Sequence, residues 1–382
     1  MINISNKGKC CGCHGCASAC LVGCISMEPD QEGFMYPHID KSQCIDCGIC
    51  EKICPMAKNY ELLSEPTAYA CYSLDENIQG ASSSGGVFSE IARWVIESNG
   101  VVFGAAFDEK FNVRHIWVDN LKDLEKLRGS KYVQSDIGRA YEQVKAFLKQ
   151  GRMVYFTGTP CQVAGLYSFL GEKNENLITQ DIICHGVPSP AVWRKYVAYR
   201  QKKAKLCKVS FRNKENGWKQ YRIFMEFEDG TIYAKDPFND SYMHSFLTDI
   251  CLRPSCYQCE FKSKSRVSDI TLADFWGIEK VIPELVNDNG ISLVLLHSQR
   301  GREILGSIRD RLFCQQVDVD GAICYNTSAI RSAIPHPKRD EFLVCVMNAD
   351  SWKQAEVFVR VPLITQIKKV IKRVAKKVMR RK

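Results

Sequence analysis

From about Thr67 onward, apolar residues fall in short strand-length runs separated by stretches with helical spacing. The runs 101–107, 153–156, 177–183 and 291–296 read as buried strands, and 87–97 gathers its apolar residues on one helical face. An α/β region with a mixed sheet is predicted. Segment 208–235 has a different period: Val209-Ser210-Phe211 and Tyr221-Arg222-Ile223-Phe224-Met225-Glu226-Phe227 alternate, and Asp229-Gly230 offers a hairpin turn. An antiparallel insertion is expected there. The first sixty residues show neither period. They hold short turns, glycines and cysteines with too little apolar sequence for a core, which predicts a small α+β module held together by bound groups.

At the other end, Leu363, Ile367, Val370, Ile371, Val374 and Val378 recur at helical spacing among lysines and arginines, predicting a basic amphipathic helix over 362–382. No apolar run approaches the about 18 residues needed to span a bilayer, so no transmembrane helix is expected. The segments expected are 1–60, 65–145, 150–310, 311–359 and a tail 360–382, with Pro55 and Pro66 flanking the exit from the first.

Charge sharpens the view of the tail. The chain of 382 residues carries a net charge of +9, yet 360–382 alone holds ten cations and no acid. The body is therefore nearly neutral, and nucleic acid is not an expected partner. The tail fits an anionic membrane surface, a partner protein or plain solvation.

Composition is ordinary for a globular protein, at 45% hydrophobic and 25% charged, except for 20 cysteines, ten of them before position 55. The start Met1-Ile2-Asn3-Ile4-Ser5-Asn6-Lys7 has no apolar export signal, which points to the cytoplasm, with peripheral attachment to the inner membrane face through the tail as an option. In a reducing compartment dense thiols serve as metal ligands or catalytic groups rather than disulfides.

The early cysteines form two runs, Cys10-x-x-Cys13-x-x-Cys16-x-x-x-Cys20 and Cys44-x-x-Cys47-x-x-Cys50-x-x-x-Cys54-Pro55. Both match the spacing of bacterial ferredoxins, in which three thiolates wrap one [4Fe-4S] cluster and the fourth reaches across to the other. Crossed sets are expected: Cys10, Cys13, Cys16 and Cys54 for one cluster, Cys44, Cys47, Cys50 and Cys20 for the second. A pair of zinc knuckles is the alternative, but it has no use for the third and fourth cysteine of each run. Leu21 stands where the first run would carry proline, and Cys11 and Cys24 are extra thiols, Cys11 being a rival to Cys10.

Further strings occur in order: Ser82-Ser83-Ser84-Gly85-Gly86, Arg128-Gly129-Ser130-Lys131-Tyr132-Val133-Gln134-Ser135, Thr157-Gly158-Thr159-Pro160-Cys161-Gln162, Cys184-His185-Gly186-Val187-Pro188-Ser189-Pro190 and Cys251-Leu252-Arg253-Pro254-Ser255-Cys256-x-x-Cys259. Together with the cluster runs they resemble the beta subunit of coenzyme F420 hydrogenase/dehydrogenase, a family similar to plant 7-hydroxymethyl chlorophyll a reductase. The resemblance extends from residue 5 to about 300. It implies an α/β flavin-binding region, FAD, and a third [4Fe-4S] cluster beside the flavin. Cys161, Cys184, Cys256 and Cys259 are the ligands it points to, with Cys251 as substitute; a structural zinc site or inert thiols are the alternatives.

No G-x-G-x-x-G or Walker loop is present, so a flavin phosphate must be held in another way. Ser83, Ser84, Gly85 and Gly86, ahead of the helix, offer hydroxyls and backbone N–H groups, and Lys131 adds a cation; an ordinary serine N-cap is the alternative. Thr157, Thr159 and Gln162 lie at a strand's carboxyl end, where open α/β sheets place ligands. Asn213, Asp269 and Asp274 resemble family positions near the cofactor, Trp276 equally fits a core, and His185 is a weak candidate proton carrier. Cys71, Cys207, Cys314, Cys324 and Cys345 are isolated and read as small buried hydrophobes.

The resemblance implies an oxidoreductase that passes electrons between ferredoxin, or another redox protein, and a hydride partner such as coenzyme F420. The rivals are a non-catalytic electron-transfer subunit working with hydrogenase or dehydrogenase subunits, and a membrane-associated cluster-bearing accessory or sensor protein.

Overall fold

The structure, a computed structural model, describes residues 2–58 and 65–360. The amphipathic tail expected over 362–382 lies outside the described residues.

The first module pairs two short strands, β1 (Ile25–Pro29) and β2 (Met35–Ile39), antiparallel, with single-turn helices at Gly15–Ser18 and Ile49–Lys52. Its two cysteine runs share a backbone signature. In each, the residue before the second cysteine and the residue after it take positive φ: Gly12 (67°) and His14 (64°), then Asp46 (50°) and Gly48 (71°). These left-handed turns curl the chain so that successive thiols face inward.

The main body is one sheet of eight strands. In chain order they are β3 (Thr67–Ser73), β4 (Val101–Phe107), β5 (Val113–Val118), β6 (Val154–Thr157) and β7 (Leu177–Ile182), and, beyond a separate antiparallel sheet formed by β8 (Leu206–Asn213), β9 (Arg222–Phe227) and β10 (Ile232–Lys235), β11 (Ile270–Asp274), β12 (Ser292–Leu296) and β13 (Leu312–Val317). The order across the large sheet is β13-β3-β12-β11-β7-β6-β4-β5. Its middle, β11, β7, β6 and β4, is parallel, and its flanks are antiparallel. Strands from 65–145, 150–310 and 311–359 are thus joined in a single sheet, a pairing that no local signal in the sequence announces.

The helices Val87–Glu97, Ala140–Lys149, Pro160–Leu170 and Gln299–Ser307 bury one face each against this sheet. The expected hairpin is present, with Gly230 at φ 77° in the turn between β9 and β10. Because β6, β7 and β11 run parallel and adjacent, the segments that leave their carboxyl ends emerge at one edge of the sheet. That edge carries Thr157–Gly158–Thr159, the loop 183–188 and Asp274–Phe275–Trp276.

Candidate functional site: three thiol sets and a large cavity

The crossed pairing expected of the N-terminal cysteines is the one that the backbone brings together. Cys16 lies within electrostatic reach of Cys13, Cys10 and Cys54, and Cys54 in turn of Cys13 and Cys10. Burial pushes the thiols of Cys10, Cys16 and Cys54 up from the ordinary cysteine range. With Cys13 they form a set of four buried or half-buried thiols suited to a cationic metal core that takes them as thiolates.

Cys20, Cys44, Cys47 and Cys50 line a second void of about 390 Å³, counted out to open solvent, together with Cys24, Leu21, Val22 and Ile45. The Cys20 and Cys24 sulfurs are 3.4 Å apart, and the Ile2 amide donates to Cys50 Sγ at 3.4 Å. Leu21, in place of proline, is 75% exposed and Ile45 61%, so this end of the module is apolar and open to solvent.

Cys161, Cys184, Cys256 and Cys259 line a third void of about 510 Å³, counted out to open solvent. Cys161 stands in the first turn of Pro160–Leu170, a helix opened by a Thr159/Gln162 capping box. Cys184 follows β7, while Cys256 and Cys259 come from the turn at Pro254–Gln258. The Val187 amide donates to Cys256 Sγ at 3.4 Å. Burial pushes Cys184 up to about 12, whereas the Cys11 thiol, donating to Cys161, holds that one down at about 7.

Cys11 therefore does not compete with Cys10. Its thiol donates to Cys13 of the first set and to Cys161 of the third, and it borders the third void. Cys251, the substitute ligand, does not border that void; it is fully buried in the core, its Sγ 3.5 Å from Ser245 Oγ. Among the described residues no three His, Cys, Asp or Glu side chains converge as ligands of a single ion do; the thiols ring voids instead.

The sheet's carboxyl edge opens onto a cavity of about 1950 Å³, counted out to open solvent. Ser83, Ser84, Gly86, Lys131, Thr157, Thr159 and Gln162 all border it. Ser83 Oγ accepts from the Ser130 amide at 2.8 Å, tying the serine loop to the Arg128–Ser135 segment, while Ser84 donates to Ile291 O at 2.8 Å. Lys131 Nζ rests on the carbonyls of Arg128 and Lys126, and burial lowers it to about 7. An anion bound in the cavity would favour its charged, ammonium form.

Gly85 and Asn213 do not border the cavity. Gly85 is wedged between strands, where a Cβ would lie 2.4 Å from Cys71 O and 2.8 Å from Ser292 N. Asn213 sits at a register break in β8, and its side chain accepts from the Glu215 amide in a local turn. Its neighbour Arg212 faces the cavity instead, paired with Asp274 at 3.0 Å and packed over the rings of Tyr221 (3.8 Å) and Trp276 (5.1 Å). Trp276 stacks on buried Trp218, so it serves the core and the cavity wall together. Asp269 is structural, accepting from Thr179 and Ser298.

His185 borders both the third void and the cavity, its Nε2 2.6 Å from Asp249 Oδ1. Sequence reasoning missed His115, which lines the cavity from β5 opposite Ala105. Its Nδ1 is 3.0 Å from Ser135 Oγ and its Nε2 2.9 Å from Thr157 O, and burial lowers it to about 4. Two of the isolated cysteines also meet, as Cys71 and Cys314 face each other at 2.8 Å across β3 and β13.

Residues 151–320 match the family described by the C terminus of the coenzyme F420 hydrogenase/dehydrogenase beta subunit, and residues 9–58 match the 4Fe-4S dicluster domain. Over 181 residues the chain is 23% identical to a subunit of the F(420)H(2) dehydrogenase of Methanosarcina mazei, covering 44% of this chain and 51% of that protein. The chain thus spans about half the length of that relative. It is 37% identical over 57 residues to Ferredoxin 7Fe of Hydrogenibacillus schlegelii, covering 15% of this chain and 67% of the ferredoxin. A chain of the F420-reducing [NiFe] hydrogenase complex from Methanosarcina barkeri superposes with a TM-score of 0.46 at 17% identity, covering 68% of this chain and 84% of that one. Residues 151–320, which supply the carboxyl ends of β6, β7 and β11 and part of the cavity wall, therefore belong to the family defined by the C-terminal region of the coenzyme F420 hydrogenase/dehydrogenase beta subunit, and residues 9–58, which hold both cysteine runs, to the 4Fe-4S dicluster domain.

Proposed function

We propose that this chain is an iron–sulfur flavoprotein oxidoreductase that passes electrons between a ferredoxin-like carrier and a hydride-accepting substrate, coenzyme F420 or one of like chemistry, through FAD. One observation carries the reading: the loop Cys184, His185, Gly186 and Val187 borders both the thiol-ringed third void and the large cavity. A group in either space lies against the same few backbone atoms. Cys10, Cys13, Cys16 and Cys54 would hold one [4Fe-4S] cluster, Cys20, Cys44, Cys47 and Cys50 a second, and Cys161, Cys184, Cys256 and Cys259 a third.

A flavin takes electrons singly and gives them in pairs. Around it, Ser83, Ser130 and Lys131 would receive the phosphates, and Arg212, Tyr221 and Trp276 form an aromatic and cationic wall. His185, fixed by Asp249, can hold a proton at the border with the third cluster. The apolar rim of Leu21, Val22 and Ile45 over the second set suits the docking of a redox carrier. A second reading, a relay subunit inside a larger complex, is favoured by the relative named as part of a dehydrogenase.

Anaerobic purification with iron, acid-labile sulfide and flavin measured per chain tests the proposal. About twelve irons and one FAD, with turnover by the chain alone, is the expected result. About eight irons without flavin leaves only the relay, and zinc in place of iron overturns both.

A further inference from the structure

We infer that Arg253 is the buried cation that sets the reduction potentials of the first and third clusters together, an inference that rests on the cluster reading above. The Arg253 side chain has 0% exposure. Its Nε donates to Cys10 O at 2.8 Å, its Nη2 to Met35 O at 3.0 Å and to Cys10 Sγ at 3.6 Å, and its Nη1 to Gln134 Oε1 at 3.1 Å. The guanidinium lies 4.2 Å from the ring centroid of Tyr36 and 5.4 Å from that of Phe34. It borders the third void as well.

Every one of these partners is neutral or a thiol. Among the described residues no carboxylate forms an ion pair with Arg253, although nearby acids are engaged elsewhere: Asp30 with Lys7 and Glu32 with Arg339. Of the other cations at the third void, Arg266 has a carboxylate within reach, Asp181 at 3.6 Å, while the Lys262 ammonium, like Arg253, sits on carbonyls, those of Cys184 and Ser328. A buried guanidinium held by neutral acceptors with no carboxylate beside it is costly, and a bound anion next to it would offset that cost.

Thiolate-ligated clusters are such anions. Arg253 reaches the first set at Cys10, through its carbonyl and its Sγ, and lines the third void with Cys161, Cys184, Cys256 and Cys259. The chain also makes room for it: Gly12 is in the left-handed region, and a Cβ there would lie 2.7 Å from Arg253 Nη1. Since reduction adds negative charge to a cluster, a nearby buried cation stabilises the reduced form and raises its potential. The second set, at the far side of the module, shares none of these contacts and serves as an internal reference.

The test is an EPR-monitored redox titration of the cluster-loaded full chain carrying Arg253→Gln, Arg253→Lys or Gln134→Glu. The last keeps the arginine packed but places a carboxylate beside it, so it informs even where Arg253→Gln does not fold. Expected are losses of about tenfold or more in the reduction equilibrium of the first and third clusters, about 59 mV for one electron, in Arg253→Gln and Gln134→Glu, with the second unchanged and Arg253→Lys largely restored. Unchanged potentials, an equal shift in all three clusters, or the same cluster loss in Arg253→Lys as in Arg253→Gln would overturn the inference. If the wild-type chain itself binds no clusters, the functional proposal fails first, and iron content distinguishes that case.

Discussion

Gly165 lies where the dicluster module meets the main body, and replacing it by alanine should damage the first cluster while sparing the second. A Cβ at Gly165 would be 2.8 Å from Tyr141 Oη, 2.9 Å from Cys13 Cβ and 3.0 Å from Cys13 Sγ. Ordinary contacts begin near 3.5 Å, so one neighbour must retreat by about half an ångström. Tyr141 is fully buried and its hydroxyl donates to Gln162 O at 2.7 Å, which leaves Cys13 to move. Overpacking of this kind costs about 1–3 kcal/mol. In a body of this size that lowers the unfolding midpoint by roughly 2 °C per kcal/mol. The assay is iron content and EPR of anaerobically loaded Gly165→Ala, with thermal unfolding alongside. The expected result is loss of the first cluster's signal with the second's retained; wild-type iron content and an unchanged midpoint would refute the packing argument.

Leu21→Glu and Ile45→Glu should slow reduction by a ferredoxin-like carrier several-fold without altering iron content, read by stopped-flow; equal rates would remove this rim as the docking face. Arg212→Met leaves Asp274 without its 3.0 Å partner and should cost about 3–5 kcal/mol in urea unfolding and abolish flavin retention, with Asp274→Asn milder. His115 has a folded pKa of about 4, below its unfolded value, so its contribution is complete above about pH 6.5 and lost as pH falls toward 4. His115→Gln should therefore flatten the pH dependence of stability between those values, and an unchanged slope in urea melts at stepped pH would contradict the burial argument.

Features legible in the sequence were those fixed by neighbours along the chain. Cysteine spacing carries the two N-terminal thiol sets because ligands three residues apart need only local turns, whereas the third set rests on family resemblance; Val101–Phe107 and Val87–Glu97 are bounded by their own periodicity. What escaped depended on long-range pairing or on parity. β3 lies between β12 and β13, partners more than 200 residues away, and nothing near Thr67 specifies them. Asn213 is expected at the cofactor from its resemblance to a family position, but a register break before it in β8 leaves Arg212 facing the cavity instead. Cys11 could not be separated from Cys10 without the left-handed turn at Gly12. The burial of Arg253 arises from three segments that meet only in the folded chain.

The loop Cys184–His185–Gly186–Val187 is also a constraint on how this protein can vary. With the same four residues walling two chambers, a change that reshapes one chamber reshapes the other. A Cβ at Gly186 would lie 2.6 Å from Leu252 Cδ1 and 3.4 Å from Cys256 Cβ, so even a methyl group is registered on the thiol side. Change in the cavity that leaves the thiol side untouched must come from residues that border the cavity alone, such as Tyr221 and Tyr325, whereas Phe246, packed edge-on against His185 at 5.0 Å, is tied to the shared loop.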